Sequence, residues 1–138
     1  MAASVDLDVI TPGAVKFQGK VEIVVAPGGA GDLAALPNHA PMLTTLRIGV
    51  LRATVADGEK RRIEFAVNGG FMQITPAKCV VLTDMALSAA DINIDAVQAE
   101  ARRAAESLAQ KHGANDVSER DAVAWAAAQL EVARAPQV

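Results

Sequence analysis

The chain has no tyrosine, one tryptophan, three phenylalanines, one cysteine and two histidines in 138 residues. With aromatics at 3%, the core has to be built from Val, Ile, Leu and Ala. A ligand pocket made of convergent aromatic and polar groups has little material to draw on. The single Cys79 excludes an internal disulfide and a cysteine-based zinc site. Its setting, "KCVVL", reads as a strand with a buried, inert thiol rather than a nucleophile, in keeping with a reducing compartment. Positive charge is not in excess: 13 Lys and Arg face 16 Asp and Glu, a net charge of −3. A surface of that balance lacks the cations that displace counterions from phosphate, so no nucleic-acid partner is expected, and Lys60-Arg61-Arg62 is too short a run to change this. No apolar stretch approaches the roughly 20 residues that span a bilayer. "MAASVDLDVI" has neither the basic segment nor the apolar run of a signal peptide. A soluble protein is expected, meeting a membrane only indirectly.

What is present is a 51% hydrophobic, 21% charged chain of a size for one domain, or a small domain with an appendage. Its composition changes near residue 90. Before that point apolar and polar residues alternate, and Gly or Pro breaks the pattern about every 8–12 residues, as in an all-β sandwich or barrel. "VDLDVI" ends at Thr11-Pro12-Gly13. "KVEIVVA" sets Val21, Ile23 and Val25 on one face and closes at "PGGAG". "VLRATVA" and "RIEFAV" flank Asp57-Gly58, a pair suited to a tight hairpin, with Leu51, Ala53 and Val55 facing one way and Ile63, Phe65 and Val67 returning. Asn68-Gly69-Gly70 predicts another turn before "FMQIT", and "KCVVLTDMA" follows Pro76-Ala77. About eight to ten short strands are expected before residue 88.

Residues 91–138 read as helix, with 14 alanines among them. Asp91 or Asn93 caps a first helix whose apolar face is Ile94, Val97, Ala101, Ala104 and Leu108; Lys111, His112 and Gly113 end it. Ser118 to Asp121 has capping-box spacing for a second helix with Ala122, Ala126, Leu130 and Ala133 on one face, closed by Pro136. The expected architecture is mostly β plus α: a β-sandwich over 1–90, followed by an antiparallel two-helix hairpin over 91–138. All of the net negative charge falls in the hairpin. Its apolar face is largely alanine, which buries little area, so it should dock weakly, as a detachable arm.

One histidine stands in "LPNHAPML", between Pro37 and Pro41. Zinc needs three or four ligands, and none accompanies His39. A general base needs an orienting partner and a nucleophile; Asp32 lies upstream, but no serine or second acid completes a triad. Two readings stay open: a histidine hydrogen-bonded inside a tight loop, or a stiff contact surface whose prolines limit the entropy lost on binding. "PGGAG" lacks the GxxxxGK[ST] pattern of a phosphate loop. Arg102-Arg103 have Glu100 and Glu106 in range for helical ion pairs, and Trp125 reads as a packing anchor. No metal site, cofactor or catalytic group is expected, so the chain does not read as an enzyme. Free-standing alternatives are a ligand-binding β-sandwich with a helical tail and a small hydrolase using His39 and Asp32.

"ITPGAVKFQGKVEIVVAPGGAGDLAALPNHAPMLTTLRIGVLR" resembles the N-terminal part of the epsilon subunit of F-type ATP synthases, which reads G-E-L-G-I-L-P-G-H-A-P-L around its proline–histidine loop. "FAVNGGFMQITPAKCVVLTDMA" is similar to that family's Gly-Gly-Phe hairpin and its closing Val-Leu-x-Asp strand, and "IDAVQAEARRAAE" resembles the start of its helical hairpin. The resemblance runs from about residue 5 to residue 134. It implies a non-catalytic rotor-stalk subunit that binds the gamma subunit and rests on the membrane c-ring, coupling proton flow to ATP synthesis. The implied contact positions are Gly31, Asp32, Leu33, Pro37, His39 and Pro41. Through the hairpin it implies the alpha and beta subunits as further partners, and regulation of ATP hydrolysis. It also implies the cytoplasmic face of a bacterial inner membrane as the location. The sequence departs from the pattern at Ala34, Ala35 and Asn38. In members that bind ATP the helix motif is Ile-Asp-x-x-Arg-Ala, implying Ile94, Asp95, Ala99 and Arg102 as nucleotide positions. Here Gln98 replaces the arginine and removes a charged, forked phosphate donor.

Overall fold

The computed structural model describes residues 3–110 and 117–134. Within them the elements are β1 (Val5–Thr11), β2 (Ala14–Gly28), β3 (Gly31–Ala35), β4 (Met42–Val55), β5 (Arg62–Ile74), β6 (Lys78–Leu82), β7 (Ala86–Leu87), a 3-10 turn at Ala89–Asp91, α1 (Ile94–Gln110) and α2 (Val117–Arg134). The strands hydrogen-bond in the order β1-β6-β5-β4-β2-β3. β1 also pairs with β2, so the ladder returns on itself and encloses one core. β3 lies at the open end of that order and is the edge strand. Leu7, Val9, Val21, Val24, Leu51, Val67, Met72, Ile74 and Val81 fill the core, almost wholly aliphatic as the lack of aromatics requires.

The described β region has seven strands, fewer than the eight to ten expected, because long strands run through places that the sequence marks as turns. Asn68-Gly69-Gly70 lies inside β5, and the β4–β5 register continues unbroken from Ile48↔Asn68 to Leu46↔Gly70. Both glycines take positive φ, 77° and 119°, which an L side chain resists. The backbone there reverses the in–out alternation. Phe65 and Val67 point into the core before it, whereas Met72 and Ile74 do so after it, leaving Phe71 outside. Asp57-Gly58 is not a two-residue hairpin; the loop closes between Val55 and Arg61, whose N–H and carbonyl pair at 2.7 Å. The Asp57 carboxylate is taken up inside it by the Glu59 N–H at 3.0 Å and by Arg61 Nε at 2.8 Å. In β2 the buried side chains are Val21, Val24, Ala26 and Pro27, and Ile23 and Val25 are only half-buried, because a bulge between Val21 and Ile23 shifts the phase. The tight turn at "PGGAG" is as expected, with Gly28 and Gly31 paired across Gly29-Ala30. Cys79 is buried in β6, and burial raises its thiol pKa.

Asn93 caps α1: its side-chain oxygen accepts from the Ala96 N–H at 3.1 Å. Asp91 instead closes the 3-10 turn, accepting from the Ser88 N–H and hydroxyl, both at 3.1 Å. Val97 and Ala104 are the buried positions of α1. α2 has two working faces. Ala126 is buried, with Leu130 and Ala133 half-buried, on the side expected to meet α1, while Ala122 is exposed. Ala128 and Val132 form a second small core with Val50 of β4 and Ala66 of β5, flanked by Ile48, Ala89, Ile92 and Trp125. α2 is therefore the middle layer between the sheet and α1. The expected stop at Lys111–Gly113, the Ser118 cap and Pro136 lie outside the residues and side chains described.

Candidate interaction surfaces

Three features could engage a partner: the β2–β3 corner with Asp32, the proline–histidine loop, and an apolar patch on the outside of β4, β5 and β6. At the corner, Gly31 has a φ of 138°, a conformation that favours glycine, and it starts β3. Asp32 follows, opposite Pro27, with its carboxylate exposed and paired to Arg47 of β4. The same guanidinium donates to the Gly28 carbonyl at 2.6 Å. Leu33 is half-buried and packs on the sandwich core. Arg47 also lines a shallow cleft with Ile48, Asn68 and, from α2, Asp121 and Ala124.

After β3 the chain makes a tight turn in which the His39 N–H donates to the Leu36 carbonyl at 3.1 Å. Pro37 occupies the second position and Asn38 the third, with a φ of 66°, which Asn tolerates better than most residues. The Asn38 N–H donates to the Pro76 carbonyl at 2.9 Å and ties the loop to the β5–β6 turn. His39 is half-buried, and its Nδ1 lies 2.7 Å from the Ala40 carbonyl. Pro41 is exposed and borders Leu43 and Gln73. The contact positions thus fall into two groups. Gly31, Asp32 and Leu33 belong to strand β3, and Pro37, His39 and Pro41 to the loop after it. From Asp32 to Leu36 the strand covers about 13 Å at roughly 3.3 Å per residue.

The apolar patch is the feature that the sequence reading missed. Phe71 pairs with Leu82 and with Thr45, and one row further on Gln73 pairs with Leu43 and Val80, so all six side chains share one outer face. Leu43 is 71% exposed, Phe71 54% and Leu82 51%. Ile10 and Pro12 extend the surface as the wall of a cleft of about 350 Å³ beside Phe71 and Leu82. The signal for it was the Gly69-Gly70 pair: counting alternation through those residues as one phase shift sends Phe71 outward.

On the hairpin, Asp95 and Arg102 are exposed and Gln98 and Ala99 half-buried, one side of α1, while Ile94 is exposed at its start. Arg103 pairs with Glu100, as expected of a helical ion pair. Between α2 and the sheet, Arg52 joins Glu64 of β5, at 3.0 Å from Nε, to Glu131 of α2. Burial pulls the Arg52 pKa down, but the Glu64 hydrogen bond and the two carboxylate charges outweigh it and raise it.

Residues 4–89 match the model of the ATP synthase delta/epsilon chain β-sandwich domain. This chain belongs to the ATP synthase epsilon-chain family. The epsilon chain of Desulforamulus reducens is 41% identical over 117 residues, covering 85% of this chain and 86% of that one. The epsilon chain of Alkalilimnicola ehrlichii is 37% identical over 130 residues, covering 94% and 91%. The helical hairpin is included in such a match, since 130 residues cannot fit within the sandwich alone. Among solved structures, a chain of the Euglena gracilis mitochondrial ATP synthase complex of OSCP, F1 and c-ring superposes with a TM-score of 0.80 at 16% identity, over 95% of this chain and 81% of that one. A chain from the Tetrahymena thermophila central stalk and c-ring gives a TM-score of 0.50 at 13% identity, over 93% and 92%. At those identities the likeness speaks for the fold. This epsilon-family chain thus carries the β-sandwich and helical hairpin that its sequence resemblance implied, and no described helix is long and apolar enough to cross a membrane.

Proposed function

We propose that this chain is a non-catalytic rotor subunit that joins the gamma subunit to the c-ring and keeps proton flow coupled to ATP synthesis, on the cytoplasmic face of a bacterial inner membrane. The observation that carries the reading is the outer apolar face. Phe71, Leu82 and Leu43 lie in water on paired strands, while the equivalent outer face of the other half of β4 and β5 is covered by α2. Burying the area that these three side chains still expose yields roughly 1–2 kcal/mol each, a driving force for a subunit contact. We assign that face to gamma. Asp32 on its edge strand and the braced Pro37–Pro41 loop form a polar border suited to the hydrophilic loops of a membrane ring. The 1–90 sandwich is then the platform, and the 91–138 hairpin a separate arm.

With Gln98 in place of the arginine and Arg102 the one cation near Asp95 on that side of α1, the arm has little with which to hold a triphosphate. In this reading it is not a nucleotide sensor. Contact with the alpha and beta subunits would need it to leave the sheet. The test is complex formation with purified gamma. A stable one-to-one complex that Phe71→Glu abolishes without unfolding the chain supports the assignment; binding indifferent to Phe71→Glu moves gamma to another face.

A further inference from the structure

We propose that Arg47 is the positioning residue of the Asp32 contact: its guanidinium fork fixes the carboxylate so that one oxygen is held and the other is presented to a cationic side chain of the partner. This rests on the reading of Asp32 as a contact with the ring. Arg47 stands between Leu46 and Ile48 on β4, where its outward side chain reaches across to the β2–β3 corner. One arm, Nη1, donates to the Gly28 carbonyl at 2.6 Å, and the other, Nη2, donates to Asp32 Oδ1. The fork therefore spans both sides of the hairpin, Gly28 ending β2 and Asp32 standing second in β3. The corner beneath it is already narrow in conformation. Gly29 is tied by its N–H to the Thr45 carbonyl at 2.8 Å, and Gly31 sits at a φ of 138°. A carboxylate on a corner fixed in this way loses little freedom when it meets a partner.

Both side chains remain accessible, Asp32 more than Arg47, so the pair is open on its outer side. A carboxylate accepts at two oxygens, and the one not used by Arg47 is suited to a lysine or arginine. Lysine at position 47 would keep the charge but, with a single ammonium, could not hold Gly28 and Asp32 in one plane. Orientation and charge are thereby separable by substitution.

The test is a double-mutant cycle. The chain bound to gamma is titrated onto the detergent-solubilised c-ring, with Asp32→Asn, Arg47→Lys and both together. Asp32→Asn is expected to weaken ring binding about fivefold, and Arg47→Lys about threefold, the range of exposed charged pairs. In the Asp32→Asn background Arg47→Lys should do nothing further. Binding to gamma and the melting temperature should not move, which separates positioning from general support of the fold. If Arg47→Lys unfolds the corner, Arg47→Gln, with a single amide nitrogen in place of the fork and no charge, replaces it with the same expectation. Arg47 variants that leave ring binding unchanged, tighten it, or weaken it equally in both backgrounds overturn the proposal while the ring contact stands. Ring binding indifferent to Asp32→Asn removes the ring contact itself, and this role of Arg47 with it.

Discussion

Val132 is the large side chain of α2 that is wholly buried against the sheet, 0% exposed among Val50, Ala66 and Ala128. Val132→Ala removes two methyl groups. At about 0.8 kcal/mol each the transfer loss is about 1.6 kcal/mol, and a partly collapsed cavity brings the cost to about 1.6–2.5 kcal/mol. The other α2 groups at that contact are Ala128 and the half-buried Trp125. If the hairpin opens without the sandwich, the whole loss falls on the opening of α2. A tenfold change corresponds to about 1.4 kcal/mol, so amide exchange in α2 should quicken roughly 10- to 70-fold. Exchange of the β5 and β6 amides should stay where it is. Hydrogen–deuterium exchange followed by mass spectrometry resolves both segments in one experiment. Equal acceleration in the strands would mean that hairpin and sandwich open as one unit, and an unchanged α2 would mean that its docking does not depend on this contact; either result refutes the detachable arm.

Two further outcomes are expected. Gly70→Ala would place a methyl group against the Leu82 carbonyl at a φ of 119°, so denaturant unfolding should show a loss of about 1–3 kcal/mol, and an unchanged midpoint would mean that the bend in β5 is not constrained. The Asp91 carboxyl titrates below its ordinary value of 3.8, chiefly because the Ser88 N–H donates to it, with help from the Ser88 hydroxyl and Lys16. A lowered folded-state value means that this stabilisation is present above pH 3.8 and is lost as pH falls through the folded value. Asp91→Asn should therefore be less stable than the parent near pH 7, and the gap should narrow as pH falls below 3.8; a gap that does not change with pH would contradict the assignment.

The fold class was legible because the two periodicities change at a single place. Alternation before residue 88 and alanine-rich helix after it leave few other architectures. Strand limits were not legible where glycine acts inside a strand. Local rules read Asn68-Gly69-Gly70 as a turn, but the pairing of Leu46 with Gly70 keeps β5 continuous, and the same residues turn Phe71 outward. The bulge at Val21–Ile23 hid the true buried set of β2 for a related reason: alternation is counted from one residue to the next, and one extra residue inverts all that follows. The proline–histidine loop was readable as stiff, since Pro37 and a residue tolerant of positive φ are sequence properties. Its tie to Pro76 was not, because it joins residues far apart in the chain. Arg47 escaped notice for the same reason, its partners Gly28 and Asp32 being reached only through sheet pairing.

The most direct test uses membranes stripped of their own epsilon subunit, with ATP-driven proton pumping followed by the quenching of a pH-sensitive dye. Adding back the folded parent chain should restore pumping, and Phe71→Glu, equally folded, should not. Pumping that stays uncoupled with the parent chain bound, or that recovers fully with Phe71→Glu, would contradict a rotor joint made through the outer face of β5 and β6.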